Sequence, residues 1–314
     1  MRRPSFLSLL SLLAASLLAG CQGARQMVGS VEASAGAAPG VSAETAKAEA
    51  SGAGGVPEAT AGAPPRIEGD LAGTADASSG KPFVARTEVS GGSGYDADTV
   101  LTVRYGPQDH FERAVIDLGT GREPAGTVPE WTLASHEGLL RLTLPSASVT
   151  GVSDGKFGDG LLESFHVVRA PEGGMFVDFF ARGSFLYRVL ELEDPARLVV
   201  DLKPAGEDSK APLPAQGGDT VLVEPRPHAR ISDPLTVSGY SRKPEAANTI
   251  ILTDQRGRVL VRRTVLGNDQ GHTWGYFEAT VDLPSFSGRG TLKVGTEIAS
   301  DDSFEGIEIP VLAR

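Results

Sequence analysis

Few side chains in this sequence stand where they invite a chemical reading. Cys21 is the sole cysteine, so it is the one thiol nucleophile and can form no disulfide within the chain. His136-Glu137 begins like the helix of a zinc protease, but Leu140 holds the place of the second histidine, and the ligand pair is missing. Gly158-Asp-Gly160 begins like a dinucleotide loop, yet Glu163 replaces the third glycine and no βαβ unit surrounds it. The run from Asp154 to Gly160 has two carboxylates and turn composition, without the regular oxygen ligands or closing Glu of a calcium loop, and reads as a turn. The five histidines, His110, His136, His166, His228 and His272, are dispersed and read as surface or strand residues. No G-x-S-x-G nucleophile motif is present. Trp131, beside Pro129 and Glu130 at a strand start, is the one candidate for a ligand contact, by stacking; Trp274 reads as core. The expectation is a non-enzymatic chain without catalytic residues, cofactor or metal.

Cys21 has a more specific reading through what precedes it. Arg2 and Arg3, an apolar run from Phe6 to Leu18, and the small residues Ala19 and Gly20 have the order of a secretory signal over residues 1–20. The run is short for a membrane span, which wants about 20 apolar residues. Leu18-Ala19-Gly20-Cys21 matches the bacterial lipobox, in which the cysteine sulfur takes a diacylglycerol and becomes the first mature residue. Lipidation accounts for a lone cysteine on an exported chain, and two acyl chains, at about 0.8 kcal/mol per buried methylene, anchor stably. The expectation is a bacterial protein lipid-anchored at Cys21 to the extracytoplasmic face of the cell membrane.

The elements beyond that anchor are of three kinds. Residues 21–80 are Ala, Gly, Ser, Glu and Pro with almost no large apolar side chain, and cannot bury enough surface to fold. As a flexible tether they would span about 40 Å root-mean-square. Residues 81–204 are short segments bounded by turn residues, some alternating strictly: Leu140, Leu142 and Leu144 interleave with Arg141 and Thr143, placing one face on a core and one in water. Met175 to Phe180 and Val199 to Leu202 are continuously apolar, as central strands covered on both sides would be. Residues 205–222 are polar and rich in Pro and Gly, the composition of a linker. Residues 223–314 supply about seven more strands, the size of an immunoglobulin-like sandwich, with a hairpin turn at Asp254-Gln-Arg-Gly257. The expected fold is all-β, two β-sandwich domains after an N-terminal tether. A net charge of −11 makes nucleic acid an improbable partner.

Two families resemble these domains. Phe111-Glu-Arg-Ala-Val-Ile-Asp-Leu-Gly119, Met175-Phe-Val-Asp-Phe-Phe180 and Pro195-Ala-Arg-Leu-Val-Val-Asp-Leu202 are similar to the AMIN-like domain of bacterial surface lipoproteins, over about Pro82 to Lys203. That resemblance implies binding to peptidoglycan or another cell-wall glycan, or to envelope proteins. Ala229-Arg-Ile-Ser-Asp-Pro-Leu-Thr-Val-Ser-Gly239, Trp274-Gly-Tyr-Phe-Glu-Ala-Thr-Val281 and Gly290-Thr-Leu-Lys-Val294 resemble the Gmad2 domain, an immunoglobulin-like module of spore-germination lipoproteins. It implies a structural accessory of an envelope or germination-type assembly. A cryptic cell-wall hydrolase stands as the residual alternative.

Overall fold

A computed structural model describes residues 80–85, 88–136, 138–206, 212–271, 273–298 and 303–313. Cys21, the signal segment and the tether lie outside these residues. All that is described belongs to one unit, Ala59–Arg314. Among the described residues there is no helix, and the strands form three sheets.

The first module carries twelve strands: β1 (Glu88–Gly91), β2 (Thr99–Pro107), β3 (Glu112–Thr120), β4 (Glu123–Pro124), β5 (Trp131–His136), β6 (Leu139–Leu144), β7 (Val149–Thr150), β8 (Asp154–Lys156), β9 (Leu162–Arg169), β10 (Met175–Ala181), β11 (Phe185–Leu192) and β12 (Arg197–Pro204). Strands β1-β5-β6-β10-β9 face a second sheet, β11-β12-β3-β2-β7. Between them lies a core that includes Val103, Ile116, Leu140, Leu142, Phe165, Phe179 and Leu198. Phe157 threads it with ring centroids 4.7 Å from Tyr105 and 5.3 Å from Phe165. The three segments that carry the AMIN-like resemblance become β3, β10 and β12, and their charged residues are structural. Arg113 and Asp201 are cross-strand partners, joined through Nε–Oδ1 at 2.6 Å and Nη2–Oδ2 at 2.9 Å, with both side chains buried. Asp201 also accepts from Arg188 at 2.8 Å. Burial of that carboxylate is tolerated because two guanidinium groups compensate it.

The second module holds β13 (Ala215–Gly217), β14 (Thr220–Glu224), β15 (Arg230–Ile231), β16 (Leu235–Ser241), β17 (Ala247–Asp254), β18 (Val259–Leu266), β19 (Trp274–Val281), β20 (Gly288–Ile298) and β21 (Ser303–Ala313). The sheet β15-β21-β20-β17-β18 packs on β19-β16-β14 around Leu222, Val237, Phe277, Leu292 and Ile309. Asp254-Gln-Arg-Gly257 is the β17–β18 turn, with Gly257 at φ 78° and the Asp254 carboxylate accepting from the amides of Arg256 and Arg258. Strands β13 and β14 begin inside the stretch 205–222 that composition marks as linker, and Val221 and Leu222 are buried. Alternation over so short a strand is weak beside its Pro and Gly-rich flanks.

The modules are not beads on a string. Strand β19 pairs in parallel with β9, Trp274 opposite Val168 and Gly275 opposite Arg169, so one ten-stranded sheet runs from β1 through β9 and β19 to β13. The outer faces of the two halves then bury each other in a third apolar layer: Leu139, Val168, Phe176 and Phe180 meet Val221, Val223, Tyr240 and Trp274. This explains why every residue of β10 is buried: Met175, Val177 and Phe179 serve the first core while Phe176 and Phe180 serve this layer. It also corrects the expectation for β6. Its second face, Leu139, Arg141 and Thr143, is buried or half-buried instead of lying in water.

Candidate functional site: the cleft between the modules

The layer between the modules contains the molecule's unusual electrostatics. Asp178, fully buried on β10, is gripped by Arg141 of β6 through two bonds of 2.7 Å, and the Arg141 guanidinium lies 3.9 Å from the centre of the Phe176 ring. Delocalised charge stacked on an aromatic face suits a half-buried guanidinium. Tyr240 of β16 approaches from the other module, its ring centroid 6.3 Å from Phe176 and 5.3 Å from His166. Burial, with the Asp178 charge beside it, raises the Tyr240 phenol well above its ordinary range.

His166 of β9 lies among Phe180, Tyr240 and Trp274, with centroids 5.1, 5.3 and 5.0 Å away, and is 4% exposed. Its Nδ1 has no hydrogen-bond partner. Burial pushes its pKa down to about 4, only partly opposed by Asp154, so the ring is neutral at pH 7. Asp154 accepts from Ser153, from Trp274 Nε1 at 3.1 Å and from Arg242 Nη1 at 2.8 Å. Burial works against its charge, yet these bonds and the Arg242 cation hold it below the ordinary carboxylate range. Trp274 and Arg242 belong to the second module, so Asp154 is a clasp between modules. The turn expected from Asp154 onward begins instead with a short strand, β8, pairing with β9. Arg169 makes a second clasp, at 2.7 Å to Asp269, and its carbonyl accepts from Asn268.

Beside this layer opens a cleft of about 760 Å³, walled by His136, Leu139 and Arg141 of the first module and by Val223, Glu224, Arg226 and Ser238 of the second. Arg141 also borders a smaller pocket of about 380 Å³ with Thr143, Phe176 and Tyr276. Both recesses therefore draw walls from both modules. Apolar walls interrupted by a few polar groups are the usual make-up of a ligand site.

The structure places Trp131 elsewhere. It is 4% exposed, in the first core, with Nε1 donating to Glu191 Oε1 at 2.8 Å, and so offers no stacking face. Its sequence neighbours Pro129 and Glu130 suggest exposure, but β1 covers it through the Gly91–Trp131 pair. Trp274 is buried, as expected, although at the junction of modules instead of within one sandwich. His136 borders the cleft. Among the described residues no three His, Cys, Asp or Glu side chains converge on a metal-sized site.

Comparison with known proteins bears on one of the two modules. Residues 221–303 match Gmad2, the immunoglobulin-like domain of bacterial spore germination. The matched residues run from β14 to β20 and include the seam residues Trp274 and Gly275 and the cleft-wall residues Val223, Glu224, Arg226 and Ser238. No curated protein and no solved structure matches the chain.

Proposed function

We propose that this chain is a non-catalytic bacterial envelope protein, anchored at Cys21 to the outer face of the cell membrane, that holds a cell-wall glycan or peptide in the cleft shared by its modules. The cleft carries the reading: it is large enough for a few sugar or amino-acid units, and it pairs apolar Leu139 and Val223 with polar Arg141, Glu224 and Ser238. Sugars and short peptides present that mixture of apolar faces and hydrogen-bonding edges. The AMIN-like pattern of the first module agrees with the same ligand class.

The test is sedimentation of the full-length chain in mild detergent with purified peptidoglycan. Enrichment over a heat-denatured control, reduced at least fivefold by Glu224→Trp at an exposed position of the cleft wall, is expected; sedimentation equal to the control removes wall binding. Mass spectrometry of the membrane-extracted chain is expected to show a diacylglyceryl group on Cys21, and Cys21→Ser to release the protein into the soluble fraction.

The Gmad2 match favours a second reading, in which the protein is a structural accessory of an envelope or germination-type assembly. Crosslinking in cells separates the two: capture of envelope proteins in place of wall fragments favours the accessory. The hydrolase alternative predicts clearing of a wall suspension by the purified chain, and none is expected.

A further inference from the structure

Strand β18 is an edge of the five-stranded sheet and pairs along one side only, with β17. Among the described residues the other eight-residue edge, β11, is covered: Val84 bridges to Tyr187, and Lys81 Nζ donates to the Val189 carbonyl. The remaining edge strands β1, β7, β13 and β15 are four residues or shorter. Strand β18 is ladder-paired with β17 alone; β19 approaches it, Arg263 donating to the Thr280 carbonyl, and it exposes Val259 at 48% and Leu266 at 65%. A long, apolar, half-paired edge is a template for another strand unless something blunts it.

The charges on this edge decide which strand fits. Arg256, Arg258, Arg262 and Arg263 fall within eight residues of a chain whose net charge is −11. Arg258 is paired locally with Asp254, and Arg262 reaches Glu297 on the outer face while remaining 51% exposed. Arg263 points to the opposite face and donates to the Thr280 carbonyl. An antiparallel copy of β18 whose register centres on Arg262 or on Arg263 would set that arginine against its own copy on the same face, and like charges directly opposite each other are destabilising. Self-association is thereby discouraged while the ladder positions stay available.

We infer that β18 is a docking edge for an extended, acidic segment of a partner protein, which adds to the sheet as a sixth strand. Backbone hydrogen bonds supply the affinity, and carboxylates at alternate positions meet the arginines. The site lies apart from the cleft, so wall binding and strand docking are independent properties.

The test uses the full-length chain in detergent and a fluorescent nine-residue peptide alternating Val and Glu. Two comparators are the Val and Lys counterpart and the Val and Glu peptide N-methylated on alternate amides. The acidic peptide is expected to bind, each comparator at least tenfold more weakly, and amide hydrogen exchange to slow over 259–266 but not over 185–192. Arg262→Glu is expected to weaken the acidic peptide about fivefold, the scale of one cross-strand charge pair. Equal affinity for the Lys peptide, or indifference to N-methylation, overturns the inference. So does a dimer by sedimentation whose exchange protection maps to 259–266, since a second copy would then occupy the edge.

Discussion

Arg141 and Asp178 are cross-strand partners on β6 and β10, joined by two bonds of 2.7 Å, and they stand where the first module meets the second. Asp178 is wholly buried, so its charge depends on that one guanidinium. Arg141→Met strands a carboxylate in an apolar layer and is expected to cost about 3–5 kcal/mol of stability. Adding Asp178→Leu should restore most of the loss, because the apolar pair no longer carries a desolvation penalty. Urea unfolding of the two variants beside the parent checks both statements; equal stability of the single and double variants would show that the pair is not coupled.

Acid is expected to loosen the junction through His166. Its folded-state pKa, about 4, lies below the ordinary 6.5, so the unfolded chain binds the proton more readily between those values. Stability from this group is therefore complete above pH 6.5 and declines as the pH falls towards 4, by roughly 3 kcal/mol in all at about 1.4 kcal/mol per unit. Asp154 and Asp178 on the flanking strands, with Arg242 and Lys156, are the charges that face it, and Asp154 stays ionised over this range. Between pH 7 and 4 the melting temperature of the parent should fall further than that of His166→Phe, which has no proton to take up there. Parallel curves would assign the acid response to other groups.

Trp131→Phe removes the indole donor to Glu191 and some buried volume, and is expected to cost about 1–2 kcal/mol. Since the ring faces the core, wall sedimentation should be unchanged at temperatures where the variant is folded. A variant of parental stability that no longer sediments with peptidoglycan would return Trp131 to the binding surface.

Gly275 sits in the parallel seam, where a Cβ would come 2.7 Å from the Asp269 amide nitrogen and 2.9 Å from its carbonyl oxygen. Gly275→Val is therefore expected to push the Asp269 segment away and disturb the Arg169–Asp269 bond. Hydrogen exchange should quicken at Val168, Arg169 and Trp274 while β2, β3 and β12 keep their protection. Unchanged exchange at the seam would mean that the backbone absorbs the side chain without cost.

Much of the strand content was legible because alternation and turn chemistry are local. The β17–β18 turn needs only Asp254 and Gly257, and the continuous apolar run of β10 announces cover on two sides. What covers its second side is not local: Phe176 and Phe180 meet Tyr240 and Trp274, some 60 to 100 positions away, and a parallel seam of two residue pairs leaves no periodic trace. The cleft was hidden for the same reason, since its wall is drawn from both modules. Asp154 carried a misleading sign, because a carboxylate among glycines reads as a turn until its partners Trp274 and Arg242 are known. The Trp274-Gly275-Tyr276-Phe277 segment can now be explained position by position: Trp274 fills the shared layer, Gly275 admits a neighbouring backbone, and Phe277 faces the second core.

The shared layer also sets an order of events during synthesis. A ribosome delivers Phe176 and Phe180 long before Trp274, so the earlier half of the chain emerges with a greasy stripe awaiting its lid. Refolded chains cut short before residue 274 should be sticky and self-associate, whereas chains extended through β21 should bury the stripe and stay dispersed.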